Sequence, residues 1–253
     1  MDDQTDRKAA IIHVNNYNRE QWIKRVGEHG LSYRDIRYSE PYEGFSHKHF
    51  PTDINDPERI TYAVIAESDD IADKMEEAEL EFDEDEKHNT VGELLGFPDC
   101  CRDFFDQEWL NGRIDPMYEI TCNSGNAKRV ESEFGDTILV EDPNPGACVM
   151  WRYFGLSFIT HLPCSWDCEH AIDVGRERYR VMKEAGYEDA ADAMYQWLSL
   201  PFQWSGYHGI ADIKNRYVTG CSQTSSYWEK KTIKWGGDHE AGGQIMKGGP
   251  TGN

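Results

Sequence analysis

The chain has 253 residues, of which 38% are hydrophobic and 12% are aromatic, and its formal net charge is −21 at pH 7. This length and aromatic content predict one large folded domain or two small ones, and they exclude an intrinsically disordered chain. The acidic surface would repel phosphate backbones, so general nucleic-acid binding is not expected. No apolar run approaches the roughly 20 residues of a membrane-spanning helix, so no membrane insertion is expected either.

The N-terminal sequence MDDQTDRKAA has no basic region followed by an apolar stretch, so no secretory signal is predicted and a cytoplasmic location is expected. Acidic residues are spread along the chain, and lysine is no more frequent than arginine. Such a composition is typical of proteins from salt-adapted organisms or their viruses, because acidic surfaces keep proteins dissolved in concentrated salt. An ordinary acidic cytosolic protein is the alternative.

The first elements in the chain are a short helix over Asn18–Val26 and a strand over Arg59–Ala66, which is rich in β-forming residues. Residues 1–58 are polar with weak periodicity, and we expect them to form an N-terminal appendage to a main domain over 59–234. Three helices follow the strand: Ser68 and Thr90 are candidate N-caps for the first two, and Pro98 suits the first position of the third.

The C-terminal half carries turn signals up to residue 150, with a short strand at Thr137–Val140. The apolar run Cys148–Thr160 predicts a buried strand. Ser165 is a candidate N-cap for a long helix, and Glu188–Leu200 predicts another. A strand is predicted over 209–220, and the glycine-rich residues 235–253 predict a flexible tail. The pattern as a whole predicts an α+β fold in which helices that carry two cysteine clusters pack on a small sheet.

The two cysteine clusters are the strongest chemical signal in the sequence. Cys100 and Cys101 follow Pro98, and Cys164 and Cys168 follow Pro163, so each cluster lies near a predicted helix start. Backbone N–H groups and the positive end of the helix dipole favour thiolate there, which is the form that binds metal or attacks an electrophile. Seven cysteines in a chain of this length favour metal or thiol chemistry over a disulfide framework.

The spacing matches neither a zinc-finger nor a ferredoxin pattern, so the metal prediction depends on the clustering. We expect an iron–sulfur cluster or zinc, held by Cys100 or Cys101 together with Cys164 and Cys168. Adjacent cysteines point about 100° apart on a helix, so only one of the first pair is expected to be a full ligand. Candidates to complete the site are Cys122 and His161. Thiol redox chemistry without metal and inert buried cysteines are the alternatives, and Cys148 and Cys221 are interpreted as structural.

An aromatic segment, PFQWSGYHG, follows the last predicted helix. Its Trp204 and His208 could line a substrate pocket beside the metal centre, with His208 as an acid, a base or a ligand. The alternative is a packed aromatic turn with a hydrogen-bonded histidine.

Three segments carry a family resemblance. The segments LLGFPDCCRDFF, HLPCSWDCEHAI and LPFQWSGYHGIADIK resemble, in the same order, those of a family of uncharacterised archaeal and bacterial proteins, whose motifs are Leu-Gly-Tyr-Pro-x-Cys-Cys and His-x-Pro-Cys-Ser-x-x-Cys. Phe97 stands where that family has tyrosine. The resemblance implies one shared site formed by Cys100, Cys101, His161, Cys164, Cys168, Trp204 and His208, and it implies no particular reaction.

These observations leave three functional hypotheses. The first is a soft-metal or iron–sulfur protein that acts as an enzyme on an unidentified small molecule. The second is a non-enzymatic component of a larger assembly, such as a viral one, in which the cysteines hold a structural metal and the N-terminal region or C-terminal tail docks a protein partner. The third is a thiol oxidoreductase that uses Cys164 and Cys168.

Overall fold

The computed structural model describes residues 7–40, 51–110, 116–132, 135–152, 155–205, 210–213, 216–219, 232–235 and 245–247. The chain forms two compact units, residues 1–102 and 103–253, and the boundary lies within one helix, α4 (Asp99–Phe105). Helices and antiparallel strands occur side by side in this chain, so the predicted α+β class is confirmed.

The first unit contains a three-stranded antiparallel sheet in the order β1 (Ala9–Asn15), β3 (Ile60–Ala66), β2 (Ser32–Ser39). Helix α1 (Arg19–Glu28) connects β1 to β2, and α2 (Asp69–Leu80) and α3 (Glu84–Leu94) follow β3. The core of this unit consists of buried side chains from the sheet and from α2 and α3: Ala9, Ile36, Val64, Ala66, Ala72, Met75, Leu94 and Leu95.

This sheet changes the expected domain boundary. The central strand β3 pairs on one side with β1 and on the other with β2, and both partners come from the first 39 residues. Residues 1–58 are therefore not an appendage to a domain that begins at residue 59. The isolated sequence did not reveal this because β1 and β2 each depend on pairing with a strand that follows much later in the chain.

The predicted helix starts in the first unit are partly right. Ser68 caps α2 by accepting a hydrogen bond from the backbone N–H of Ile71 at 3.3 Å. Thr90 is not a cap, because α3 begins earlier and its N-cap is Asp83, which accepts from the Glu86 N–H at 3.0 Å. The short carboxylate of Asp83 satisfies a backbone donor that the helix itself leaves unpaired.

The second unit contains a seven-stranded antiparallel sheet in which each strand pairs with the next along the chain. Its strands are β4 (Ala127–Ser132), β5 (Gly135–Val140), β6 (Phe202–Ser205), β7 (Ile210–Ile213), β8 (Arg216–Thr219), β9 (Thr232–Trp235) and β10 (Ile245–Lys247). Helix α5 (Pro116–Asn123) packs against the sheet. Helices α6 (Glu169–Glu184) and α7 (Glu188–Leu198) follow β5 and precede β6 in the sequence, and they pack against each other.

Several expectations for this unit are wrong in detail. The run from Cys148 to Thr160 is not a strand: its described residues form turns, bends and irregular backbone, and about half of them are buried. The turn-rich region before it contains α5 and β4, which the sequence did not predict. Helix α6 begins at Glu169 with Cys168 as its N-cap, instead of being capped by Ser165. Most of the predicted tail, 235–253, lies outside the described residues, and β10 lies within it.

Candidate metal centre

Four cysteine side chains lie together. One sulfur atom each from Cys100, Cys101, Cys164 and Cys168 lies within 4.8 Å of every other, and the two adjacent residues have their sulfurs 3.9 Å apart. Four thiolates at 2.3 Å around a tetrahedral zinc ion would have sulfur–sulfur distances of about 3.8 Å. The group therefore lies within the distance that a metal ion requires, and its donors are soft sulfurs.

The first cysteine pair is positioned by the backbone that precedes it. Helix α3 ends at Leu94, and Gly96, whose φ is +69°, follows shortly after it. The N–H of Phe97 donates to the carbonyl of Gly92 at 2.9 Å. This left-handed glycine turn is a common helix end, because a side chain at that φ is strained. The next helix, α4, then begins at once, with the Pro98 carbonyl accepting from the Cys101 N–H at 2.9 Å.

Both cysteines of the first pair thus lie in the first turn of α4. Both sulfurs belong to the group, and the prediction that only one of the pair is a full ligand stays a prediction. Cys100 is partly exposed and Cys101 is buried. The different burial follows from their different directions around the helix, while side-chain rotation still brings the two sulfurs close.

The second cysteine pair is positioned by contacts with α5. Trp166, which lies between the two cysteines, is fully buried, and its indole N–H donates to the Thr121 hydroxyl at 3.1 Å. The backbone N–H of Trp166 donates to the Ser124 hydroxyl at 2.8 Å. In addition, the Asn123 side chain donates to the carbonyl of Cys164 at 3.3 Å. The loop that contains Cys164 and Cys168 is therefore stabilised by contacts with α5, a helix that the sequence pattern does not predict.

Asp167 adds a fourth contact to this loop, because its carboxylate accepts from the Gly125 N–H at 2.8 Å. Immediately afterwards Cys168 becomes the N-cap of the 16-residue helix α6, and its carbonyl accepts from the Ile172 N–H at 2.9 Å. The positive end of the α6 dipole therefore lies at Cys168, where it favours negative charge on sulfur.

His161 and Cys122 are not members of the group. His161 is buried, and burial together with the nearby Arg178 lowers its pKa to about 4, although Cys168 acts in the opposite direction. Its imidazole is therefore neutral near neutral pH. Cys122 is exposed at the end of α5. The fourth member of the group is instead the second cysteine of the adjacent pair.

The remaining predicted site residues have different surroundings. Trp204 is fully buried on β6, where it lies opposite Ile138 of β5 and Ala211 of β7. It is thus part of the sheet core, and it does not reach the protein surface. His208 and Cys221 lie outside the described residues.

Cys148 is the buried cysteine that stands apart from the group. Burial raises the pKa of its thiol to about 12, although a hydrogen bond with the Met150 backbone acts in the opposite direction. Cys148 is therefore a neutral thiol under ordinary conditions, as expected for a structural residue.

Comparison of the chain with protein-family models, curated proteins and solved structures finds no match. Among the helices in the described part of the chain, none has the length and apolar character that crossing a membrane requires. The four-cysteine group is therefore the feature of the molecule that points to a function.

Proposed function

We propose that Cys100, Cys101, Cys164 and Cys168 bind a single metal ion, with zinc as the first candidate, in a site that stabilises the protein. The observation that carries this proposal is the mutual proximity of the four sulfurs, all within 4.8 Å. Soft thiolate donors in a tetrahedral arrangement favour zinc, and iron is the next candidate. All four cysteines also belong to the two cysteine clusters of the sequence.

The sulfur distances favour one ion over a polynuclear iron–sulfur cluster. In a cluster, thiolates bound to different irons are separated by the cluster atoms between them, and they lie farther apart than thiolates on one ion. A group in which every sulfur pair is within 4.8 Å has room for a single ion at its centre. Iron in such a site would be mononuclear.

The number of protein ligands favours a structural role over catalysis at the metal. Structural zinc sites have four protein ligands, whereas catalytic sites keep one position open for water or substrate. Four cysteines fill all four positions. This supports the hypothesis of a non-enzymatic metal site over a metal-dependent enzyme. The oxidoreductase hypothesis predicts a reducible disulfide in a protein without bound metal, so metal analysis distinguishes it from a metal site.

Metal analysis of the anaerobically purified full chain, kept in high salt because of its acidic surface, tests the proposal. We expect one zinc ion per chain and no sulfide. Replacement of zinc by Co²⁺ should give the strong visible absorption of tetrahedral cobalt together with sulfur-to-cobalt charge-transfer bands. Iron with stoichiometric sulfide would contradict the mononuclear site.

Two serine variants distinguish a cysteine that binds the metal from one that does not. Cys164→Ser should lose most of the metal and much of the stability, because metal-binding free energy is also folding free energy in a structural site. Cys122→Ser is the matched control, since Cys122 is exposed and outside the group. It should retain the metal, the cobalt spectrum and the stability. A well-folded Cys164→Ser that keeps its metal, or a wild type in which zinc does not bind, would refute the site.

A further inference from the structure

We propose that Cys100 and Cys164 are the reactive sulfurs of the four-cysteine group, and that a hydroperoxide oxidises the group through them and releases the metal. This inference rests on the proposed function, since it requires a bound ion. It adds a chemical property that a purely structural site does not need: the site would respond to an oxidant by losing its metal.

The first support is an asymmetry in burial. Cys100 and Cys164 are partly exposed, whereas Cys101 and Cys168 are only 2% and 7% exposed. Each cysteine-bearing segment thus contributes one accessible and one inaccessible sulfur. A small solute reaches the group through the accessible pair.

The second support comes from the closed coordination. With four sulfurs bound, the metal has no open position at which a solute could bind. Chemistry with an incoming molecule must then occur at sulfur, and thiolate is the nucleophilic form of cysteine. The group holds its sulfurs as thiolates at neutral pH whenever a metal is bound.

The class of oxidant follows from charge. Asp99, Asp167 and Glu169 lie next to the ligands in sequence and are exposed, and the chain as a whole carries −21. An acidic surface lowers the local concentration of anionic oxidants but not that of a neutral molecule. An uncharged hydroperoxide is therefore the favoured reactant.

The reaction balances as a two-electron oxidation. The thiolate of Cys100 or Cys164 attacks one oxygen of the hydroperoxide, the O–O bond breaks, and a sulfenic acid forms as hydroxide or alkoxide leaves. A neighbouring thiolate then attacks the sulfenic sulfur, forms a disulfide and expels hydroxide. Two protons from solvent neutralise the two leaving groups. The metal stays divalent and dissociates, because only two thiolates remain to bind it.

The second thiolate is already in place. Each of the other three sulfurs lies within 4.8 Å of the one that is oxidised first. The disulfide therefore requires little more than side-chain rotation, and it should form faster than further oxidation to sulfinic acid.

The test uses the zinc-loaded full chain and hydrogen peroxide. Zinc content is measured first, then zinc release is followed with a chromogenic chelator, and remaining thiols are alkylated and mapped by mass spectrometry. We expect one zinc ion released per disulfide, and every early disulfide should contain Cys100 or Cys164. Without peroxide, an alkylating agent should modify these two about tenfold faster than Cys101 and Cys168, in line with the dependence of thiol reactivity on access.

Cys122 provides an internal control. It is exposed but outside the group, so its oxidation or alkylation should release no zinc, and Cys122→Ser should release zinc at the wild-type rate. An early disulfide between Cys101 and Cys168, or zinc retained after Cys100 and Cys164 are oxidised, would overturn the inference. So would a group that stays reduced while Cys122 is fully oxidised. A chain that contains no zinc before peroxide is added refutes the proposed function instead.

Discussion

The two segments that supply the cysteines reach similar positions by different physical means. In the segment around Cys100, a glycine turn follows one helix and a proline precedes the next, so local backbone conformation determines where the two cysteine residues lie. In the segment around Cys164, the loop is held by hydrogen bonds from α5 and by the burial of Trp166. One segment is positioned by local conformation and the other by tertiary packing, and their mutants should respond differently.

The largest loss of stability is expected when the tertiary contacts of Trp166 are removed. Trp166→Ala removes a fully buried indole that packs edge-on against Phe202 at 5.4 Å and hydrogen bonds to Thr121. We expect a loss of about 3–5 kcal/mol in the free energy of unfolding, because the change leaves a large cavity. Zinc affinity should fall as well, since the loop between the second pair of cysteines loses its anchor. Urea unfolding and a competitive chelator titration measure the two quantities.

Tyr187→Ala is the control for this variant, because it also removes a large aromatic side chain from the second unit. Tyr187 is 63% exposed, so its loss should change stability by no more than about 0.5 kcal/mol. If Trp166→Ala kept both wild-type stability and wild-type zinc affinity, the second segment would not depend on packing, and the contrast between the two segments would be removed.

A smaller loss of stability is expected when the local glycine turn at Gly96 is changed. Gly96→Ala places a side chain at φ +69°, and its Cβ would lie 3.1–3.2 Å from the Arg7 backbone. The left-handed conformation alone costs an ordinary residue about 1–2 kcal/mol. We expect a loss of that size in the free energy of unfolding, measured by urea titration. Zinc affinity should also weaken, because the turn directs the chain into α4.

Gly27 in α1 is the matched glycine, since its φ is not positive and an added Cβ would meet no atom within 4 Å. Gly27→Ala should raise stability by about 0.5–1 kcal/mol, because alanine restricts the unfolded chain and favours a helix. Equal responses of the two glycines would mean that the Gly96 turn imposes no local constraint.

The same contrast explains how much the sequence could reveal. The Pro98 signal is local, and it predicts a helix start within one residue of the observed start of α4 at Asp99. Helix α7 and the Ser68 cap were likewise predictable, because periodicity and capping residues act over a few positions. The clustering in the sequence predicts that Cys100 or Cys101 lies with Cys164 and Cys168, and the structure brings these sulfurs together.

What the sequence did not reveal depends on contacts between distant residues. Helix α5 is only eight residues long and lies among turn signals, so nothing local marks it as the support of the Cys164 loop. The apolar run after Cys148 predicts a strand, and this prediction is wrong because apolar composition indicates burial but not conformation. The inclusion of both adjacent cysteines depends on side-chain rotation, which helix geometry around the backbone does not determine.

The smallest expected effect is a pH dependence of stability that comes from Cys148, which is a buried neutral thiol outside the four-cysteine group. Because burial raises the pKa of Cys148 to about 12 from its ordinary value of 9.0, the folded chain keeps this proton more tightly than the unfolded chain does. The stabilisation is present below pH 9 and is lost as the pH rises towards 12. Between pH 8 and pH 10, wild type should therefore lose roughly 1 kcal/mol more stability than Cys148→Ala does. Urea unfolding at the two pH values measures the difference.

Cys122→Ala should follow the wild-type pH dependence, since Cys122 is exposed. Identical pH dependence in Cys148→Ala and wild type would mean that Cys148 is not a buried neutral thiol, and that burial does not separate it chemically from the four cysteines of the group.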